Sequence, residues 1–378
     1  GGSDADEAYD IAVDNSGNSY ICGRTSGNDK ALIAKYDTSG NLVWQRTLEG
    51  PSSTYAEQIA LDSSGNPHIC GRHQNDLFIA KYNSSGTLEW QKGLTGYGGP
   101  GSSAGYESGN GLAIDSLGNI YVSGDTNSGP GTYDAMLIKY DSLGNELWQK
   151  TVGGGGYANS GEVQVDSSDN LYLCGYDDSM GHVQAYVIKY NSSGTEQWQR
   201  MVGGSSGEYC YAMAVDNSGN VYLAGTTSST GTSGGGDYLI VKYDSLGNLQ
   251  WQRLLGGSTG YDSPFSIVTD SSDNFYINGY CRIPYMTMVF AKLPGDGSLT
   301  GTYGSLTYSE INYNSSTSTL TTTPISVFTP YDSTMNDAEG TLTPDTSDLT
   351  SSTTIFAAAS GTVSASSGNT ITLSNVSG

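Results

Sequence analysis

Positive charge is scarce in this chain. Its 378 residues include 15 Lys and Arg against 38 Asp and Glu, a formal net charge of −23. That balance repels phosphate backbones and anionic lipid, so nucleic acid is excluded as the main partner. No apolar run reaches the roughly 20 residues of a membrane-spanning helix, and no membrane insertion is expected. There are three His, and neither HExxH nor CxxC nor GxSxG occurs, so no catalytic residue, metal or cofactor is implied. No segment sustains a helical period. The five Cys are an odd set. Cys22, Cys70 and Cys174 share one repeat position where other copies carry Ser123, Ala224 and Asn278, a small-side-chain packing site. Equivalent positions of separate repeats do not meet disulfide spacing, and the expectation is free, mostly buried thiols. Gly1 opens the chain without Met, signal peptide or basic leader, which suits a fragment or a processed product.

What is abundant is Gly, at 53 residues, with 28 Tyr and five Trp, an aromatic content that argues against simple disorder. DNSGNSYICG at Asp14 returns as DSSGNPHICG at Asp62, DSLGNIYVSG at Asp115, DSSDNLYLCG at Asp166, DNSGNVYLAG at Asp216 and DSSDNFYING at Asp270. A period near 50 residues indicates a stacked or circular repeat architecture. Each copy holds four short β-branched and aromatic runs, in the first YDIAVD, SYICGR, ALIAKYD and LVWQRTL. Four antiparallel strands repeated six times predict an all-β, six-bladed β-propeller.

The turn residues explain the punctuation. An Asp carboxylate accepts from backbone N–H groups ahead of it, while Gly or Asn accepts the positive φ that closes the hairpin. Asp169 and Asp273 stand where other copies have that Gly. A second turn (DTSG, NSSG or DSLG) joins strands three and four in the first five copies. Strand alternation puts both fixed turns on one face and the variable Gly/Ser/Tyr loops on the other, where a partner-specific surface is expected. Trp44, Trp90, Trp148, Trp198 and Trp251 each sit in a W-Q-[RK] strand, and a position shared by the copies predicts packing between blades. Eleven of the fifteen bases occupy repeated positions and belong to the scaffold.

The sixth copy departs from the pattern at its end, with Gly301 where Trp251 stands in the fifth. Residues 293–378 contain no Lys, Arg or Trp and alternate Ser/Thr with apolar residues. The chain is therefore divided into a six-repeat propeller, 1–304, and a Ser/Thr-rich extended or β segment, 305–378. That segment is an assembly arm for other structural proteins, lying on the propeller or pairing with another chain, with disorder as the alternative.

The A-x-D-x-x-G-N-x-Y core and the K-Y-[DN]-x-x-G-x-x-x-W-Q continuation resemble the SBBP family of β-propeller repeats, related in pattern to NHL repeats, over roughly residues 8–304. The tandem style and the GSLTGTYGSLTY tail also resemble virion structural proteins of marine tailed phages. That second resemblance implies a structural or host-contact role, a virion location and no catalysis.

Two chemical readings compete with this scaffold. D-x-S-G-N invites a calcium loop, but the positions that need Gly and Glu hold Ser19 and Thr25. Arg24 and Arg72 directly follow the strand-two Gly of blades one and two, and Arg282 lies shortly after it in blade six. In a closed ring these blades are neighbours, so three arginines can gather as an anion or glycan contact, as in sialidase-like propellers. The Asp-box of those enzymes is missing, and solvated loop arginines are the simpler reading. The sequence thus supports a non-enzymatic structural or adhesive module presenting its variable face to a partner or a host-surface glycan. The alternatives are a carbohydrate-binding or carbohydrate-active propeller and a secreted bacterial surface propeller; an oligomer is compatible with each.

Overall fold

The computed structural model describes residues 6–25, 29–49, 53–95, 106–129, 132–153, 156–179, 181–229, 235–257, 260–283, 285–303, 306–317, 321–324, 329–332 and 336–339. Among these, regular structure is entirely β, and no helix is long and apolar enough to cross a membrane. The first five repeats each form a four-stranded antiparallel blade, in blade one Glu7–Val13, Ser19–Thr25, Lys30–Tyr36 and Leu42–Glu49. The first strand of each later sheet packs on the first three strands of the sheet before it, so the first strands line the axis.

Five blades form, not six. The sixth repeat gives a three-stranded sheet: Ser263–Thr269, Asn274–Ile283 and Tyr285–Pro294. The segment that aligns with its fourth strand is diverted. Gly301–Tyr303 pairs with Leu306–Glu310, and that strand adds to the outer strand of blade five. A fourth strand needs an apolar anchor on the blade face, and the sixth copy has Gly301 in the Trp place.

The chain then runs backwards around the outside of the propeller. Asn314–Thr317 joins the outer edge of blade four, Thr321–Pro324 blade three, Thr329–Asp332 blade two and Asn336–Glu339 blade one. On every blade the last residue of the added strand faces the base of the W-Q-[RK] motif. Glu310 faces Arg253, Thr317 Arg200, Pro324 Lys150, Asp332 Lys92 and Glu339 Arg46. The runs 340–378 and GTVSASSGNTITLSNVSG within it lie outside the described residues.

The fixed turns have a common geometry. Asp14 Oδ1 accepts from the backbone N–H groups of Ser16 at 3.0 Å and Asn18 at 2.9 Å, and Oδ2 from Asn18 Nδ2 at 2.8 Å. Asp62, Asp115, Asp166, Asp216 and Asp270 hold their turns in the same way. Their Oδ2 atoms also meet the strand-three Lys of the same sheet, as in Lys139–Asp115 at 3.6 Å and Lys292–Asp270 at 3.2 Å. Asp169 and Asp273 adopt the left-handed φ of the Gly they replace, +59° and +60°. Asp169 also accepts from the backbone and hydroxyl of Ser116 in blade three, a bond Gly cannot make.

Each Trp bridges two sheets. Trp44 Nε1 donates to Ser84 O at 3.1 Å, and Trp198 and Trp251 repeat this bond to Ser245 and Gly295. The ring lies under the positive-φ Gly of the next repeat's second turn: Trp44 under Gly86, Trp90 under Gly144, Trp148 under Gly194, Trp198 under Gly247, Trp251 under Gly297. Gly86 has φ +81°, and a Cβ there would lie 2.6 Å from Trp44 Cδ2. Gly40 has the same φ, +80°, with nothing within 4 Å. Gly86→Ala is therefore expected to cost about 2–4 kcal/mol, strain plus overpacking, and Gly40→Ala about 1 kcal/mol. Paired denaturation curves check this; equal losses would remove the Trp–Gly joint as a source of stability.

Candidate binding face

The loop end of blades one to three carries a ladder of planar groups. Arg24 follows the strand-two Gly and forms a bidentate pair with Glu7, 3.0 and 3.1 Å, across the first hairpin. Its guanidinium lies 5.2 Å from the ring centre of Tyr55, and the Arg72 guanidinium lies at the same 5.2 Å. Arg72 also sits 5.5 Å from the Tyr106 ring and donates from Nη1 to the Tyr106 hydroxyl at 2.9 Å. Aromatic contacts extend the ladder from Tyr106 to Tyr133 at 6.4 Å, and on to Tyr157, stacked at 5.5 Å. Arg24 and Arg72 are thus joined through one tyrosine. Arg282 is placed elsewhere: it is exposed on the sixth sheet, its stem lying over Gly260 and its backbone N–H bonded to Asp262.

Beneath this ladder the first strands bulge, and acids lie in or beside three of the bulges: Asp10, Glu57 and Glu162. The register of every first strand slips near its middle, in blade one between Ala8 and Asp10 and in blade two between Ala56 and Gln58. A bulge frees backbone N–H groups, and an acid of the preceding blade takes them up. Asp10 accepts from Ile59 N–H at 2.9 Å, Asp125 from Ser160 at 2.7 Å, and Glu162 from Met213 at 2.8 Å. Burial pushes all of these carboxyls up, Asp125 to about 6 and Glu162 to about 7, and their bonds recover only part of the shift. Burial likewise raises Glu57 to about 7, although the Arg72 guanidinium pulls it back. Glu57 and Asp125 raise one another's cost of ionisation, as do Glu162 and Asp10; Asp125 stands on the second strand of blade three, directly after its Gly124. Among the described residues no group of three or more His, Cys, Asp and Glu is placed to hold a metal ion.

The axial acids were not singled out from the sequence. The signal was present: Asp10, Glu57 and Glu162 lie four or five residues before the turn Asp, inside first strands whose other members include apolar residues at every copy. A second tyrosine cluster continues this face on blades four to six. Tyr176 meets Tyr209 at 5.0 Å and Tyr211 at 6.3 Å, and Thr226 and Tyr211 both reach the Tyr261 hydroxyl. A cleft of about 650 Å³ lies away from these groups, between blades four and five, lined by Lys189, Trp198, Arg200 and Ser245. Its lining already makes the Trp–turn joint, and the ladder and axial acids remain the candidate site.

A family model for the SBBP β-propeller repeat matches residues 1–29, 96–131 and 197–231. No curated protein matches the chain. Similar solved structures include a gluconolactonase from Xanthomonas campestris, 12% identical over 77% of this chain and 95% of that one, TM-score 0.40. An ulvan lyase of polysaccharide lyase family PL25 is 11% identical over 75% of this chain and 78% of that one, TM-score 0.46. The tail fibre of Staphylococcus aureus phage P68 is 9% identical over 78% of this chain and 92% of that one, TM-score 0.19. Such likeness bears on fold alone. It corrects one expectation: propellers that share the fold include a gluconolactonase, a lyase and prolyl endopeptidases, so the architecture gives no ground for excluding catalysis. Five four-stranded antiparallel blades and the matched repeats make this chain a β-propeller repeat protein.

Proposed function

We propose that this chain is a structural and adhesive propeller of a particle surface, a virion in the first instance and a bacterial cell surface in the second. It engages a host-surface glycan through the loop end of blades one to three. The observation that carries this reading is the Arg24–Tyr55–Arg72–Tyr106 ladder above the axial acids. Tyrosine rings stack on the apolar faces of sugars at low entropic cost, and carboxylates accept from sugar hydroxyls. The tail's resemblance to virion structural proteins supports the location.

A second reading, a carbohydrate-active propeller, is favoured by the raised Glu57, Asp125 and Glu162 carboxyls, since a protonated acid near neutral pH can donate to a leaving oxygen. One experiment separates them. Glycan-array binding by the intact chain is expected to fall at least about tenfold in Arg72→Ala, the loss of one stacked, hydrogen-bonded guanidinium. Undiminished binding would sink the ladder as the contact. Mass spectrometry of the bound glycan then decides: an intact ligand fits adhesion, and a shortened one moves the protein to the second reading.

A further inference from the structure

Six sheets are joined by five apolar clusters. Each cluster unites a third-strand residue of one sheet with a first-strand residue of the next. The pairs are Ile33 with Ile59, Ile79 with Leu112, Leu137 with Val163, Val187 with Met213, and Ile240 with Ile267. The sixth pair of the series is Phe290 on the last sheet and Ile11 on blade one. Both are uncovered: Phe290 is 62% exposed, whereas its five counterparts are 1% or less, and Ile11 is 60% exposed, whereas its counterparts are 8% or less. Met288 beside Phe290 and Val13 beside Ile11 are exposed as well. The Gly40 turn of blade one has no ring beneath it, unlike its five counterparts. The described chain therefore ends in two unlike apolar faces that are the two halves of its own repeated joint.

We infer that blade one of a second copy docks on the sixth sheet, head to tail, with Ile11 and Val13 against Met288 and Phe290. Continuity with the five internal joints selects this occupant, because the same strand positions meet in each. The two faces differ, so the contact is heterologous and leaves one face free at each end of a pair. The sixth repeat carries Gly301 in the Trp place, so this joint lacks the Trp–Gly cap of the internal ones and is weaker and reversible. Two copies at −23 each repel, and salt screens that repulsion without weakening an apolar contact.

Sedimentation velocity on the intact chain tests this between about 1 and 100 µM, the range in which a modest apolar joint fills. Mean mass is expected to rise with concentration and with salt. Ile11→Asp and Phe290→Asp each abolish association, and an equimolar mixture of the two forms dimers that grow no further. Association that persists in either variant, or a mixture that stays monomeric, overturns the inference. Hydrogen exchange on the unmutated chain is the second measurement, independent of variant folding. Peptides covering 7–13 and 285–294 gain protection with concentration. Protection already complete at the lowest concentration means that the chain covers these faces itself, and the inference fails.

Discussion

Tyr308→Ala is expected to lower the stability of the blade-five region by about 3–5 kcal/mol and to release the strands that follow it. Tyr308 is fully buried in the cluster between blade five and the sixth sheet, with Tyr238, Leu255, Ile277 and Leu306. It lies opposite Leu255 in the strand that fixes the encircling segment to blade five. The four later strands have four residues each, too short to stand as independent structure. They are held because each sits seven or eight residues behind the previous one, which keeps its effective concentration at the next blade edge high. Releasing the first strand removes that tether for all the rest. Calorimetry is expected to show the loss, and limited proteolysis to cut 314–339 before any blade. A variant that melts with the parent and resists proteolysis there would mean that the outer strands hold independently.

The blades were legible because their information is local and repeated. Asp14 and Gly17 close a turn whatever surrounds them, and six copies of that chemistry mark the period. The Trp positions were legible as interblade contacts for the same reason, although Gly86 and its counterparts as partners were not. The encircling strands were readable only as sheet-prone. Their steps of seven or eight residues carry no motif, and their register is set by partners far away in sequence, such as Arg46 opposite Glu339. The sixth blade failed where the sequence had already changed: Gly301 marked the lost anchor, but not the destination of the diverted hairpin on blade five. Arg24 and Arg72 could be placed by repeat phase, whereas Tyr55 between them depends on blade-to-blade rotation. Glu57 and Glu162 were hidden by the bulges, which drop them out of the strand register that the sequence pattern assumes.

Glu57→Gln/Glu162→Gln is expected to melt with the parent at pH 4 and about 1–3 °C above it at pH 8. The magnitude takes about 1–2 kcal/mol for the pair, discounted for solvent screening. The direction follows from linkage. Folding raises both carboxyls from near 4.3 to about 7 through burial, so the folded chain binds more protons than the unfolded one. Their stabilising contribution is complete below about pH 4 and is lost as pH rises through about 7. The turn carboxyls Asp14, Asp62 and Asp166 have the opposite sign. Burial pushes them up, but bonds from the turn amides and Asn side chains outweigh it and leave them lowered, so their contribution is lost only in acid. His68, lowered to about 4 by burial, and His73, lowered by the same cause, also oppose the axial acids, losing stability as pH falls below about 6.5. The parent's own profile is therefore blunted, and the difference between parent and variant isolates Glu57 and Glu162, since the histidines and turn aspartates are common to both. A difference that stays flat from pH 4 to 8 would show that these two side chains ionise freely in the folded chain, and would remove the acid-base basis for a carbohydrate-active reading of the axis.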